Sequence, residues 1–361
     1  MKTYLIPMRA CSPVKTLPRS DTIFGALCWA RRVLDGTPDF ATWLKAFVEN
    51  PSLVVTDAFP MVVNAEAARM HFLPKPYLLE PNTEYFQQKS GGSKSRLVDL
   101  ITKYKKFKKI EFISRTLFNN ILAGVLNACG LFEAFLQGKA KLAGKFLIDD
   151  QVDNKAFGLS DEAQFIREQV SQRNRIDRVT QSTDTEAGQL FFSEEYGLIL
   201  GEGYRVHLYF LMKTDDIAGW IPALRWISDT GLGGDRSVGR AAIEILIEQI
   251  ELFDGIKDAM SPTHWVTLSR YAPNLSNGEL ASVKSASAGY QMVTLRSKIE
   301  SNWQRIDDPW KEAVRVFTAG SIFPMLDASP KEYYGWLPKV KDAPFEVYHN
   351  GLAFPAFAKI K

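Results

Sequence analysis

Thr230-Gly231-Leu232-Gly233-Gly234-Asp235-Arg236-Ser237-Val238-Gly239-Arg240 is the stretch on which the reading of this chain turns. Four glycines fall within nine residues, interleaved with two arginines and a serine. Glycine permits positive φ and lets another backbone approach with no Cβ in the way. Upstream, Ile217, Trp220, Leu224 and Ile227 recur every three or four residues, which predicts a helix from Asp215 to Ser228. Downstream, Ile243, Ile245 and Ile247 alternate, which predicts a strand over Ala241–Ile250. A glycine-rich connection from helix to strand exposes peptide N–H groups in a concave turn suited to phosphate oxygens. Arg236 and Arg240 would add charge-assisted donors. No Gly-Lys-Ser/Thr follows, so this is not a P-loop, and helix-then-strand order is the reverse of a Rossmann fingerprint. A sugar-phosphate backbone is the better guess for its ligand; the plain alternative is a solvated turn.

The chain of 361 residues has room for one large or two ordinary domains, and 46% hydrophobic with 24% charged residues is a globular composition. A net charge of +3 demands no nucleic-acid partner by itself, so any basic surface must be local. Lys2 and Arg9 flank a run too short for a signal peptide. Thr116–Phe132 is uncharged but falls short of a membrane span and reads as a buried helix. Cys11, Cys28 and Cys129 support neither a disulfide framework nor a zinc site, which fits a reducing cytoplasm.

Outward from the loop, the order of elements suggests a fold. Lys2–Met8 reads as a first strand. Ser20 is expected to cap a helix that has Asp21 in its first turn and stops at Gly36. Thr37-Pro38 opens a second helix, and Leu53–Thr56 and Phe59–Val63 read as strands. Tyr196–Leu200 and Tyr204–Met212 look like a hairpin. Strand, helix, strands, helix, glycine loop, strand is the order of an α+β, ferredoxin-like (RRM-like) βαββαβ module with insertions at about 85–165. After Gly255 the texture changes to short strands and turns, placing a boundary near residue 256 between an N-terminal domain (1–255) and a β-rich C-terminal domain (256–361).

Two further stretches are basic. Lys103, Lys105, Lys106, Lys108 and Lys109 sit within seven residues around Tyr104 and Phe107. A solvated helix face is the ordinary reading, and interleaved rings that stack on bases the functional one. Arg167, Arg173, Arg175 and Arg178 crowd twelve residues ahead of Thr180. These forks suit phosphate, unless Asp161, Glu162, Glu168 and Asp177 pair with them. Gln87–Ser93 reads as a loop.

Ser20-Asp21-Thr22-Ile23-Phe24-Gly25-Ala26-Leu27 resembles the first-helix signature of the RAMP superfamily of CRISPR-associated proteins. Asn174-Arg175-Ile176-Asp177-Arg178-Val179-Thr180, followed by Gly188-Gln189-Leu190-Phe191, is similar to their Ile-Asp-Arg-x-Thr motif, and residues 231–239 to their glycine-rich loop. Asp57-Ala58-Phe59-Pro60, Leu73-Pro74-Lys75-Pro76 and Asn350-Gly351-Leu352-Ala353-Phe354 point to the Csm subunit four group of type III effector complexes. Gln181 departs from the pattern, since relatives often carry glycine there. The resemblance implies two ferredoxin-like domains and a non-catalytic role; no cofactor is expected, and no His/Cys/Asp/Glu set has metal-ligand spacing. Such a subunit grips the 5′ tag of the guide RNA (crRNA), caps the filament of Csm backbone subunits and docks the large polymerase-like subunit. Neither a membrane nor a small-molecule substrate is implied.

On this reading Gly231, Gly233, Gly234, Ser237 and Gly239 approach the guide backbone, and Arg236 and Arg240 neutralise phosphate. Arg173, Arg175, Arg178 and Thr180 hold tag nucleotides, and Arg19 and Ser20 at the first helix offer a further anion site. One alternative is a guide-processing endoribonuclease of the same superfamily. The first histidine is His71 and Arg9–Arg19 has no acid, both of which count against it. The other alternative is an unrelated sugar-phosphate-binding module.

Overall fold

Leu5, Ile6, Pro7 and Met8 are buried in succession rather than alternately, as in a strand covered on both faces. The computed structural model describes residues 1–160, 163–174, 176, 190–201, 203–299, 307–327, 329–342 and 346–360, and places this run in strand β1 (Lys2–Ala10). Helices α1 (Ser20–Asp35) and α2 (Thr37–Glu49) follow, then strands β2 (Leu53–Val55), β3 (Phe59–Asn64) and β4 (Arg69–Pro74). With β4 a long insertion begins. It contains α3 (Thr83–Ser90), α4 (Lys94–Lys108), β5 (Phe112–Ser114), α5 (Arg115–Leu122), α6 (Ala128–Leu136), β6 (Ala140–Ala143), β7 (Phe146–Asp149), the short α7 (Lys155–Phe157), the paired strands β8 (Ile166–Asn174) and β9 (Leu190–Leu198), and β10 (Leu200–Gly201). The chain returns to the sheet in β11 (Tyr204–Thr214), α8 (Ile217–Thr230), β12 (Ile243–Ile245) and β13 (Glu251–Leu252).

The strands run in the order β12-β1-β11-β3, each antiparallel to its neighbour, with α1 packed on α8. That is one βαββαβ unit: β1, α1, β2 with β3, then β11, α8, β12. The insertion extends the same sheet beyond β3 through β4, β5, β7 and β6. It therefore begins earlier and ends later than 85–165, running from β4 to β10.

Several local expectations are corrected. Thr116–Phe132 is not one helix, because Gly124 adopts φ +72° and its hydrogen faces the Lys359 carbonyl, where a Cβ would come within 2.4 Å. The helix α6 starts afresh from Asn127, whose side chain accepts the Gly130 N–H. The segment from Gln87 stays helical to Ser90, since Asn82 caps α3 and Gly91 supplies the left-handed C-cap. Tyr196–Leu198 belongs to the β8–β9 pair, and Leu200–Gly201 makes the short ladder with β11. The alternation in Ala241–Ile250 yields only Ile243–Ile245 as strand, before a 3-10 turn at Ile247–Gln249.

The last third contains β14 (His264–Thr267), α9 (Glu279–Val283), β15 (Met292–Leu295), β16 (Val314–Phe317), β17 (Ile322–Pro324), β18 (Lys339–Lys341), β19 (Val347–Tyr348) and β20 (Pro355–Ala358). Here β17-β14-β20 form one sheet, while β15–β16 and β18–β19 form two-stranded ladders. Val266, Leu268, Phe354, Ala356 and Ala358 join the main core. A separate aromatic cluster of Trp265, Tyr271, Phe317, Phe323 and Tyr334 belongs to this part alone, with the Trp265 and Tyr334 rings stacked at 4.2 Å.

Asp57 ties the two parts together. It is 1% exposed; its Oδ1 accepts the Ser20 N–H at 2.8 Å, its Oδ2 accepts from Arg19 at 3.2 Å, and its own N–H donates to the Leu268 carbonyl. The Ser20 hydroxyl does not cap its own helix but accepts the Arg270 N–H at 2.9 Å. Asp57→Ala would strand the buried Ser20 N–H and the Arg19 guanidinium. A loss on the order of 2–4 kcal/mol is expected in urea unfolding, with a smaller loss for Asp57→Asn, which keeps one acceptor.

Candidate nucleic-acid interface

The glycine loop is built by the end of α8. Asp216 caps the helix by accepting the Gly219 N–H, and Trp220, Ala223, Leu224 and Ile227 bury one face. The helix stops at Gly231, which takes φ +80° and lies so close to Ala241 that a Cβ would meet its carbonyl oxygen at 2.6 Å. The Leu232 N–H donates to that same carbonyl at 3.0 Å, closing the base of the loop. Gly231 is thus required by the fold. Gly234 and Gly239 face open space. Among the described residues the amides of Gly233 and Gly234 have no acceptor, whereas those of Val238, Gly239, Arg240 and Ala241 are used within the protein. Ser237 lies in the 3-10 turn Arg236–Val238.

Beneath the loop sits a buried carboxylate. Glu195, on β9, is 1% exposed; it accepts from Ser171 Oγ at 2.8 Å, from Arg240 Nε at 2.9 Å and from Arg173 Nη2. Arg173 Nη1 reaches on to Asp235 in the loop at 2.9 Å. Burial alone would push the Glu195 carboxyl up, but the hydrogen bonds from Arg240, Arg173 and Ser171 override it and hold it at about 2. The acids that meet Arg173 are therefore Glu195 and Asp235. Glu168, weighed from the sequence as a partner, instead pairs with Lys145 at 2.8 Å.

The loop opens onto a cleft of about 630 Å³ between the two parts of the chain. Among the described residues Arg32, Arg236, Arg270, Arg296, Lys298 and Lys311 line it, against two carboxylates, Asp21 and Glu346. Asp21 is held by Arg270 at 2.7 Å and Glu346 by Lys339 at 3.1 Å. Burial pushes the Lys311 ammonium down, opposed by the Asp21 charge, and no carboxylate among the described residues pairs with it. The inner wall is aromatic, with Trp29, Phe40, Trp226 and Tyr348. A basic groove with aromatic walls is the arrangement that tracks a single-stranded nucleic-acid backbone and stacks its bases.

The residues expected from sequence are placed unevenly. Gly231, Gly233 and Arg236 reach the cleft. Arg173 and Arg240 support the loop from behind through Glu195. The polar atoms of Ser20 are used inside the fold, and Arg19 is paired with Asp57, so the protein's own carboxylate fills the anion position at this helix start. Arg175, Arg178, Thr180 and Gln181, with the acids Asp161, Glu162 and Asp177, lie outside the described residues. Tyr104 and Phe107 do not stack outward: both pack against Phe132 in the core. Sequence reasoning missed Arg296, Lys298 and Lys311, because distant segments bring them to the cleft. The pairing of Arg296 and Lys298 two residues apart was the only local sign.

The chain thus joins an α+β fold built on a βαββαβ unit to a glycine-rich loop at the end of α8. No established family profile matches the chain. It is 24% identical over 266 residues to the CRISPR system protein Csm4 of Thermococcus onnurineus (strain NA1), covering 72% of each chain. A solved chain in a Csm3–Csm4 subcomplex of a type III-A CRISPR-Cas interference complex superposes with TM-score 0.60 at 16% identity, covering 99% of this chain and 100% of that one. A chain of a Csm1–Csm4 cassette in complex with pppApA does so with TM-score 0.53 at 18% identity, covering 100% and 99%. In sequence the chain is thus similar to a Csm4 protein, and in fold to the chains solved in Csm3–Csm4 and Csm1–Csm4 assemblies. No helix among the described residues is long and apolar enough to cross a membrane.

The Glu195 cluster carries a pH signature. Its folded carboxyl lies below the ordinary 4.5, so its stabilisation is present above that value and is lost as pH falls from there towards about 2. Glu195→Gln should lose on the order of 2 kcal/mol at neutral pH and show a flatter acid-unfolding profile across that window, read by circular dichroism.

Proposed function

We propose that the cleft beside the glycine loop holds the 5′ tag of a guide RNA, and that the chain is a non-catalytic subunit of a type III interference complex in the cytoplasm. One observation carries this: the unpartnered Gly233 amide, with the open Gly234 amide next to it in the chain, lies at a cleft lined among the described residues by six cations and two carboxylates, in a chain whose overall charge is only +3. Open amides and cations bind phosphate oxygens, and the aromatic wall accepts unstacked bases. Gly231 shapes the loop; Gly233, Gly234, Ser237 and Gly239 are its proposed contacts to the guide backbone; Arg236 supplies charge, joined by Arg296, Lys298 and Lys311, while Arg240 braces the loop through Glu195. Arg175, Arg178 and Thr180 complete the tag contact. A backbone subunit and a large polymerase-like subunit are the proposed partners, by analogy with the Csm3 and Csm1 chains that accompany the matched structures. The proposal includes a division near residue 256 into two ferredoxin-like domains, the second β-rich; the separate aromatic cluster of the last third supports the division.

His349 is the observation that keeps an endoribonuclease reading alive, because it lines the cleft. It is 8% exposed, with its Nε2 sealed and unpartnered among the described residues. Burial holds its imidazole below the ordinary range, opposed by Asp21.

The test is binding of labelled guide RNA with and without its tag across a salt series, for the chain alone and co-expressed with its partners. Gly234→Asp suits the purpose because the position is open and the fold does not need glycine there. Tagged RNA should bind more tightly and remain uncut. Gly234→Asp should weaken it about tenfold or more, and Arg236→Ala/Arg296→Ala should lower the log–log salt slope by about 1.4. Indifference to tag, loop and arginines in the assembled complex would remove the site. RNA cleavage abolished by His349→Ala would replace the function.

A further inference from the structure

We infer that the exposed face of α4 is a second nucleic-acid contact, separate from the cleft, which grips sugar-phosphate backbone without reading bases. The helix buries Phe107 and packs the half-buried Tyr104 edge-on against Phe132, so both of its rings are engaged within the fold. What it exposes instead is Lys94, Arg96, Lys105, Lys106 and Lys109. None of these has a hydrogen-bonded or ionic carboxylate among the described residues, whereas Lys103 pairs with Asp99 and Lys108 with Glu80.

Helix electrostatics alone does not account for this charge. A helix C-terminus carries roughly half a negative charge. Lys105, Lys106, Lys108 and Lys109 all sit at that end, and Glu80 answers only one of them. More than two positive charges remain, crowded within five residues where they repel one another in the free protein. A polyanion relieves that repulsion.

The chemistry also favours nucleic acid over a protein partner. Protein interfaces are depleted of lysine and enriched in aromatic residues and arginine. This face is mainly lysine, has its rings inside, and shows only Val98 and Ile101 as exposed large hydrophobics. Its place in the fold separates it from the cleft. The helix leads into β5, and four strands lie between β5 and β12, the strand that follows the glycine loop. At the usual strand spacing that is about 24 Å.

The experiment measures binding of polyuridine RNA by the full chain over a salt series, with Lys105→Gln/Lys106→Gln/Lys109→Gln and the matching triple arginine variant. All three positions are exposed, so neither variant disturbs the core. The glutamine variant should bind several-fold more weakly, with a salt slope shallower by about 2, and the arginine variant should behave as wild type. The same glutamine variant should keep the difference between tagged and untagged guide RNA, which separates this contact from the cleft. Unchanged affinity and slope, or identical behaviour of the two triple variants, overturns the proposal.

Discussion

The cleft exists because a carboxylate is buried at the start of α1. Asp57 is almost inaccessible to solvent, and such a charge is costly unless every oxygen is answered. The Ser20 N–H and the Arg19 guanidinium do this, with the positive end of the helix dipole adding to them. The Asp57 N–H meanwhile belongs to Leu268, and the Ser20 hydroxyl to Arg270, in the last third of the chain. One buried charge thereby sets where the helix begins and where the C-terminal residues rest against it. Asp21 and Arg270, which pair at the cleft, follow directly from that junction.

The interface is governed less by how many arginines surround it than by which acids each one meets. Arg173 is committed to Glu195 and Asp235, which stiffens the loop but leaves it little to offer phosphate. Arg240 gives its Nε to the same carboxylate. The open side of the loop instead faces Arg296, Lys298 and Lys311 from the other part of the chain. Lys311 is half-buried with no paired carboxylate among the described residues; burial pushes its ammonium down, and an incoming anion would oppose that shift.

Among the glycines the division of labour is equally physical. Gly231 is needed because the Ala241 carbonyl occupies the space of its Cβ. Gly234 is not needed for folding in that sense, so its lack of a side chain leaves room for something outside the protein. A run of glycines in a sequence conceals this distinction; the neighbours in space reveal it.

The first strand, the first two helices, α8 and the glycine turn at its end were legible in the sequence, because each rests on local causes: apolar period, Pro at a helix start, and glycine where φ turns positive. The basic character of residues 94–109 was legible too, since charge is a property of composition. The fate of Tyr104 and Phe107 was not, because the same alternation of ring and lysine serves either an outward or an inward face until Phe132 packs there. The splitting of Thr116–Phe132 depended on Lys359, more than two hundred residues away. The identity of the cleft likewise came only from tertiary structure. A pocket wall is made of residues distant in the chain, and only the closed fold brings their charges within reach of one another.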